Sequence, residues 1–549
     1  MKKKRRRLKV GRLVLLIVLL ILIVGSIFFL VNLIKESLRT EELYLASEYP
    51  TVTVRDKENN EYVFTRGSKL EVKVRPVKID EVEYREFKLD DVKYYVLDEF
   101  LEANRRDCVR EKELYTLKNT VLTSDSDTYL INGYIKKNNK VEITDYKNLL
   151  EDGSVDYYEI NDIGWISASK LDYEYTYQGL DTSRYEGLYF GSGGDPKLID
   201  YYPKQKLNFK NNKMPETVKA LYINAEAISG IDRYLDLAEG SSINAFVVDI
   251  KDCYVDTQIA YENDVTKKYA PSTDNIPNSF ETYQKSVKKI IDAGYYVIGR
   301  ITAFKDDAFA KDNPEESLLN SDGSHYHFNL VDWPSIYSRK LWEYDLALAI
   351  EAIEDMGFNE IQFDYVRSPE YIEDGVLRRN EYDETPSEAI TEFLRYVTEQ
   401  LHKREVYVSA DVFGEISGWT DDKCTAFVSG YGQFWPAISN CVDAISSMPY
   451  PDHFSSGSFG IDTPWSRPHD IMYKWACATK FAQEATYDPA KCRTWIQAQS
   501  SDSYDIEYGP EAIEGQLDAL KQAGVYEGFM TWNAASSYYR YNMYIDVLD

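Results

Sequence analysis

The chain is poor in the residues that several common chemistries need. Histidine occurs only five times in 549 residues. His325 and His327 would share one face of a strand, but no third ligand of the right type lies near them, so a zinc-dependent polysaccharide deacetylase finds little support. The six cysteines, Cys108, Cys253, Cys424, Cys441, Cys477 and Cys492, are scattered without a CxxC pair, which excludes zinc ribbons and dithiol redox motifs. Cys253 reads as a buried free thiol. There is no Gly-x-Ser-x-Gly elbow for a serine hydrolase. Gly191-Ser192-Gly193-Gly194-Asp195-Pro196 lacks both the Lys-Ser/Thr of a phosphate loop and the spacing of a dinucleotide fingerprint. No cofactor and no metal is called for. A basic surface is missing too: the net charge is −28, which argues against nucleic acid as a partner and fits a soluble, acidic exterior.

The main basic run is Lys2-Lys3-Lys4-Arg5-Arg6-Arg7, and the apolar segment behind it gives it a role. Leu13 to Ile34 is nearly all Leu, Ile, Val and Phe, about 33 Å long as a helix and enough to span a bilayer. It is too long for a signal-peptide core, and no clear cleavage site lies after it. The expectation is a cytoplasmic tail over 1–12, an uncleaved signal anchor over 13–34, and a single-pass protein of the cell membrane with everything beyond about residue 40 outside.

The length calls for two to four domains. Residues 48–112 alternate apolar and polar in short runs, such as Thr51-Val52-Thr53-Val54, Leu70-Glu71-Val72-Lys73-Val74 and Val92-Lys93-Tyr94-Tyr95-Val96, and predict a small β module. Residues 113–172 repeat the plan weakly. Their ending, Gly164-Trp165-Ile166-Ser167-Ala168-Ser169-Lys170-Leu171, resembles bacterial SH3-like wall modules, which implies wall binding; a spacer role suits the pattern equally. Residues 173–215, rich in Tyr, Gly and Asp, read as a linker with turns.

From Val218 the pattern becomes strand, loop, helix, repeated. Strands are predicted at 220–223, 245–249, 296–300, 361–365, 406–411, 444–448, 494–497 and 528–532. Helices such as 280–293, 342–356, 388–403 and 511–523 lie between them, and Gly294, Gly357 and Gly524 stop three just before the next strand. Eight such units over 216–549 predict an α/β (β/α)8 TIM barrel; an open doubly wound sheet gives no reason for eight.

Barrel sites lie at the carboxyl ends of the strands. Those ends offer Asp249 with Lys251 and Asp252, then Arg300, Asp364 with Arg367, Asp411 with Glu415 beyond, Tyr450 with Asp452 and His453, Gln497 with Gln499, and Trp532 with Asn533. Paired carboxylates among amides and aromatics suit glycoside cleavage: one acid protonates the leaving oxygen, and the other attacks the anomeric carbon or activates water. Trp419, Trp435, Trp465 and Trp532, in loops or at strand ends, are candidates for stacking on sugar faces, as they are for loop packing. The expected catalytic residues are Asp364, Asp411 and Glu415. The expected substrate-binding residues are Asp249, Lys251, Arg300, Arg367, Tyr450, Gln497, Trp532 and Asn533.

Val331-Asp332-Trp333-Pro334, Leu341-Trp342-Glu343-Tyr344, Ile361-Gln362-Phe363-Asp364-Tyr365-Val366-Arg367-Ser368-Pro369, Ser409-Ala410-Asp411-Val412-Phe413-Gly414 and Met448-Pro449-Tyr450-Pro451 resemble a bacterial family of glycoside hydrolases whose barrel is distantly related to the alpha-amylase superfamily. The likeness covers about 216 to 540. It implies an Asp nucleophile on the fourth strand, where Asp364 stands. The amylase acid on the fifth strand is Glu; here the strand ends in Asp411, with Glu415 past it. Neighbouring strands lie about 4.8 Å apart, so Asp364 and Asp411 are expected close together, as retention requires (~5–5.5 Å), while Glu415 would stand farther off and favour inversion (~6.5–9.5 Å). The expected partner is a cell-wall or surface polysaccharide, or a peptidoglycan-associated glycan. The rival from another class is a wall protein whose barrel grips glycan without cutting it.

Overall fold

The computed structural model describes residues 10–177, 179, 188–190, 193–199, 201–204, 207–253, 259–269, 278–417 and 426–548. The basic run at 2–7, Trp419 and Cys424 lie outside these. The described chain falls into two compact units: Met1–Leu117 with Asn138–Tyr175, and Lys118–Lys137 with Thr176–Asp549.

The first unit opens with a helix, Val10–Leu38, whose most apolar window has a mean hydropathy of 3.4 and no buried residue. It is long and apolar enough to cross a membrane. Antiparallel β structure comes next. Strand Thr40–Leu45 pairs with Lys69–Lys73, and Val82–Leu89 with Val92–Leu97; a small core forms around Leu45, Val52, Val54, Leu70, Val72, Phe87 and Val96. Further on, Lys140–Leu149, Val155–Ile160 and Gly164–Ser167 pair in sequence. The alternation seen in the sequence is what puts one face of each strand into these cores. A buried ion pair, Arg66 to Glu111 at 2.5 Å, stitches the unit, and the Tyr158 hydroxyl donates to the same carboxylate.

The second unit is the barrel. Its strands are β1 (Val218–Ile223), β2 (Ala245–Lys251), β3 (Tyr296–Thr302), β4 (Glu360–Asp364), β5 (Tyr407–Phe413), β6 (Ala444–Met448), β7 (Thr494–Gln497) and β8 (Gly528–Trp532). All pair in parallel, in the order β6-β5-β4-β3-β2-β1-β8-β7. The ring closes through a broken strand: Lys491–Cys492 pairs with β6, and one residue later β7 pairs with β8. Helices lie between the strands, including Phe280–Asp292, Arg339–Met356, Pro386–His402, Trp435–Cys441, Pro468–Ala485 and Pro510–Ala523. Gly357 and Gly524 end two of them at φ +80° and +75°, the left-handed stop that glycine takes without a Cβ clash. Thr385 and Glu388 form a reciprocal capping box at the start of Pro386–His402.

Most of β1 to β8 is buried, so their alternation separates the barrel interior from the helix layer. Low in the interior Arg493 and Glu360 form a fully buried pair at 2.7 Å. Tyr296 Oη and Ser409 Oγ satisfy the remaining capacity of Glu360 at 2.9 and 2.5 Å. This polar plug closes the floor beneath the site. The hairpin of Thr120–Thr123 and Ile131–Ile135 belongs to this unit. The Val121 amide donates to Glu392, the Ile131 amide to Glu343, and Tyr396 Oη to the Tyr129 carbonyl.

Candidate active site

At the mouth of the barrel Arg300, pointing up from β3, holds two carboxylates. Its Nη1 donates to Asp249 Oδ1 at 2.7 Å. Its Nη2 and Nε donate to Asp364 Oδ2 at 2.6 and 3.1 Å. All three side chains are nearly sealed from solvent. Burial opposes the guanidinium's charge, but Asp364 and Asp249 outweigh it and push its pKa well up. Burial raises Asp249 to about 6 even against the pull of Arg300. Tyr222 Oη closes the other Asp249 oxygen at 2.6 Å. Asp249 thus orients Arg300, and Arg300 orients Asp364.

The second oxygen of Asp364 is fixed by backbone. β4 stops at Asp364, one residue short of the predicted end, because Tyr365 adopts a left-handed conformation at φ +52°. For a non-glycine residue this costs about 1–2 kcal/mol. The Tyr365 amide, in the peptide it shares with Asp364, donates to Asp364 Oδ1 at 2.6 Å.

Above Asp364 opens a cavity of about 330 Å³, lined among others by Arg300, Lys305, Asp364, Tyr365, Arg367, Tyr450, Trp495 and Trp532. The Trp532 and Tyr450 rings lie near parallel, with centroids 6.3 Å apart. A second cavity of about 330 Å³ holds Glu415 and Tyr431. Glu370, Phe413, Met448 and His453 line both, so the two are chambers of one groove. Tyr431 Oη donates to Glu415 Oε1. Arg367 sits among Trp333, Tyr365, Phe413 and Tyr431 and pairs with Glu370 at 3.2 Å.

Asp411 lies beneath this floor rather than on it. It is fully buried; Trp495 Nε1 donates to its Oδ1 at 2.9 Å, and its Oδ2 has no partner among the described residues. Burial first, and then the charge of Asp364, push its carboxyl well above the usual range.

The expected site residues therefore divide. Asp364, Arg300, Arg367, Tyr450 and Trp532 meet in the first chamber, Glu415 in the second, and Asp249 and Asp411 behind the wall. Lys251 is directed elsewhere. A register shift between Asp249 and Lys251 turns its side chain out of the barrel, where it pairs with Asp306 and Asp345 at 2.8 Å each. Gln497 is buried, and its Oε1 accepts from the Asp452 amide. Asn533 is also buried and closes the turn before Tyr538–Tyr544, accepting from the Ser537 amide and donating to the Ser537 carbonyl. Trp435 is core, its indole donating to Gln483 Oε1. Trp465 stacks on Tyr504 at 3.9 Å. Sequence reasoning missed Tyr365, Lys305, Glu370, Gln433 and Trp495 as lining residues. Only Tyr365, inside the Phe-Asp-Tyr-Val-Arg run, carried a signal.

Residues 220–538, more than half of the chain, match the family described as "putative glycosyl hydrolase domain". The chain belongs to that family. This glycosyl hydrolase domain coincides with the barrel, and carbohydrate hydrolysis is its chemistry. Among solved structures, a hypothetical protein from Ruminiclostridium thermocellum is 32% identical over 35% of this chain and 97% of its own, with a TM-score of 0.31. The PgaB glycoside hydrolase domain of Bordetella bronchiseptica is 11% identical over 60% and 99%, TM-score 0.40. The spore cortex-lytic enzyme SleL of Bacillus cereus is 10% identical over 64% and 78%, TM-score 0.34. No curated protein sequence matches the chain.

Proposed function

We propose that the protein is a membrane-anchored glycoside hydrolase whose barrel lies outside the cell and cleaves a cell-wall or surface polysaccharide, with Asp364 as the nucleophile. One observation carries this reading. Both oxygens of Asp364 are held, by Arg300 and by the Tyr365 amide, at the floor of an aromatic cleft. A carboxylate so fixed spends no ordering entropy when a sugar arrives. Trp532 and Tyr450 supply ring faces, and Arg367 and Lys305 supply donors for hydroxyl groups. The anchor is the apolar helix with the basic run before it, which favours a cytoplasmic amino terminus. Protease added to intact cells should then digest the barrel; full protection would refute the outside placement.

In this reading Asp411 is the acid. Burial and the neighbouring charge of Asp364 push its carboxyl well above the usual range, the direction that the acid partner of a retaining pair needs. A second reading has its own support. Glu415 lines the groove itself, whereas Asp411 is sealed under Trp495. Glu415 as acid, farther from Asp364, would give inversion. The experiment is incubation of the full-length chain, and of its Asp364→Asn form, with a panel of bacterial polysaccharides. Cleavage by the first and not by the second is expected. NMR of the first product before it mutarotates separates retention from inversion. Binding without any cleavage would make the barrel a glycan-gripping module instead.

A further inference from the structure

We infer that Tyr504, backed by Trp465, is a distal sugar subsite that receives the glycan chain where it leaves the groove. This rests on reading the groove as a polysaccharide site. Both residues stand on the carboxyl-end rim of the barrel. Trp465 lies between β6 and the helix Pro468–Ala485, and Tyr504 between β7 and the helix Pro510–Ala523. Their rings stack with centroids 3.9 Å apart and planes 5° from parallel. Trp465 is half-buried and covers one face of Tyr504. Tyr504 is nonetheless 37% exposed, so what it shows to solvent is its other face and its edge. The backbone under each ring is pinned. The buried Tyr508 donates its hydroxyl to the Trp465 carbonyl at 2.6 Å. The amides of Ser501 and Ile506 each donate to the other residue's carbonyl, at 2.8 and 3.1 Å, and close the turn that carries Tyr504. An exposed ring held in this way loses little rotamer entropy when a ligand settles on it.

The pair adjoins the groove without lining either chamber. Trp465 belongs to a short turn of helix, Pro464–Ser466, that packs within 8 Å, Cα to Cα, of another, Pro451–His453. His453 lines both chambers, and Phe454 and Ser455 line the second. A chain that passes Asp364 and runs out beyond His453 has Tyr504 next in its path. The surroundings of the ring select the occupant. Asp502, Ser503 and Asp505, in the same turn, are exposed, as is Asp462 ahead of Trp465. Oxygen acceptors beside a ring face suit a sugar, whose C–H face stacks while its hydroxyls donate. An apolar protein segment would strip water from those carboxylates and give them no partner. A polyanionic chain would be repelled by them. The occupant is a neutral glycan strand long enough to reach from Asp364 past His453.

The measurement is affinity as a function of chain length, by calorimetric titration of the full-length chain in detergent. The Asp364→Asn form is the parent, so that the sugar is not consumed. The probes are the disaccharide and the octasaccharide of the panel polysaccharide that the wild type cleaves or retains. Tyr504→Ala should weaken the octasaccharide about 3- to 10-fold, the loss of one ring contact, and leave the disaccharide unchanged. Trp465→Ala should weaken the octasaccharide too, because Tyr504 loses its backing, while Trp465→Phe and Tyr504→Phe stay close to the parent. Tyr487, 48% exposed at the amino end of the strands, is the control, and Tyr487→Ala should change neither affinity. If Tyr504→Ala binds both probes like the parent, or loses both equally, the subsite is refuted and the reading of the groove stands. If only Trp465→Ala loses affinity, in step with its thermal midpoint, the pair is loop packing and the inference fails. If the full-length chain binds no polysaccharide of the panel, the groove reading and the inference fall together. A Trp465→Ala chain that does not fold leaves the decision to Tyr504→Ala, which removes an exposed ring.

Discussion

Replacing Arg300 by Gln is the sharpest test of how the site is held together. The change removes a group that donates to both Asp249 and Asp364, and all three side chains are almost wholly buried. Breaking a buried pair by deleting one partner costs about 3–5 kcal/mol, because the other charge is left without compensation. Here two carboxylates are left, so the upper part of that range is expected near pH 8. At 1.4 kcal/mol per decade this is a factor of about 10³ to 10⁴ in the equilibrium for opening the barrel. The loss should shrink toward pH 5. Asp249 titrates at about 6 in the intact site, so below that pH the wild type has already lost part of the attraction that the substitution removes. Adding Asp249→Asn should recover part of the loss, since one uncompensated carboxylate disappears. Hydrogen exchange of peptides from β3 and β4 is the assay, because it reads the barrel without mixing in the β unit. A loss below about 1 kcal/mol, or one that does not change between pH 5 and 8, would refute the electrostatic account.

Trp532→Ala should raise KM about 5- to 30-fold with little change in folding, checked by initial rates and circular dichroism, since it removes about 1–2 kcal/mol of ring contact. Burial holds the Asp345 carboxyl up at about 7 against the pull of Lys251. A carboxyl raised in the folded state contributes stability that is full below its unfolded value near 4 and is lost as pH rises through 7; Asp345→Asn should therefore flatten the fall of the thermal midpoint between pH 5 and 7. Gly357→Ala should cost about 1 kcal/mol in urea unfolding: the residue sits at φ +80° and a new Cβ would meet only Ile291 Cδ1 at an ordinary 3.6 Å. Gly528→Ala should cost distinctly more, for its Cβ would fall 2.3 Å from the Val218 carbonyl oxygen.

Much of the barrel is legible in the amino-acid sequence. The eight apolar runs are spaced as strands because each must be buried on both faces, and the glycines at 357 and 524 mark left-handed helix ends that few other residues tolerate. The site was less legible, for three physical reasons. Alternation places Lys251 on the same face as Asp249, but the shift in pairing between them reverses it, and no composition signal announces such a bulge. Alternation also gives a face without a depth: Asp411 points inward as expected, yet lies under Trp495 instead of beside the groove. Finally, Tyr365 has the identity of a strand residue and the backbone of a turn. Only tertiary clamps decide between them.

The hairpin at Thr120–Ile135 has a consequence for how the chain is made. Val121 belongs to the main barrel core, and Tyr129, Ile131 and Tyr134 pack against that core. The helices that receive the hairpin, Arg339–Met356 and Pro386–His402, are encoded much later. At a synthesis rate of about 5–20 residues per second they emerge from the ribosome roughly 15–50 s after the hairpin does. During that interval the barrel helices that the segment packs against do not yet exist. Val121 and Ile131 must wait uncovered, and the apolar edge they leave is a natural target for a holding chaperone. Nascent chains stalled between residues 180 and 330 should therefore be more prone to aggregate than chains released after residue 402.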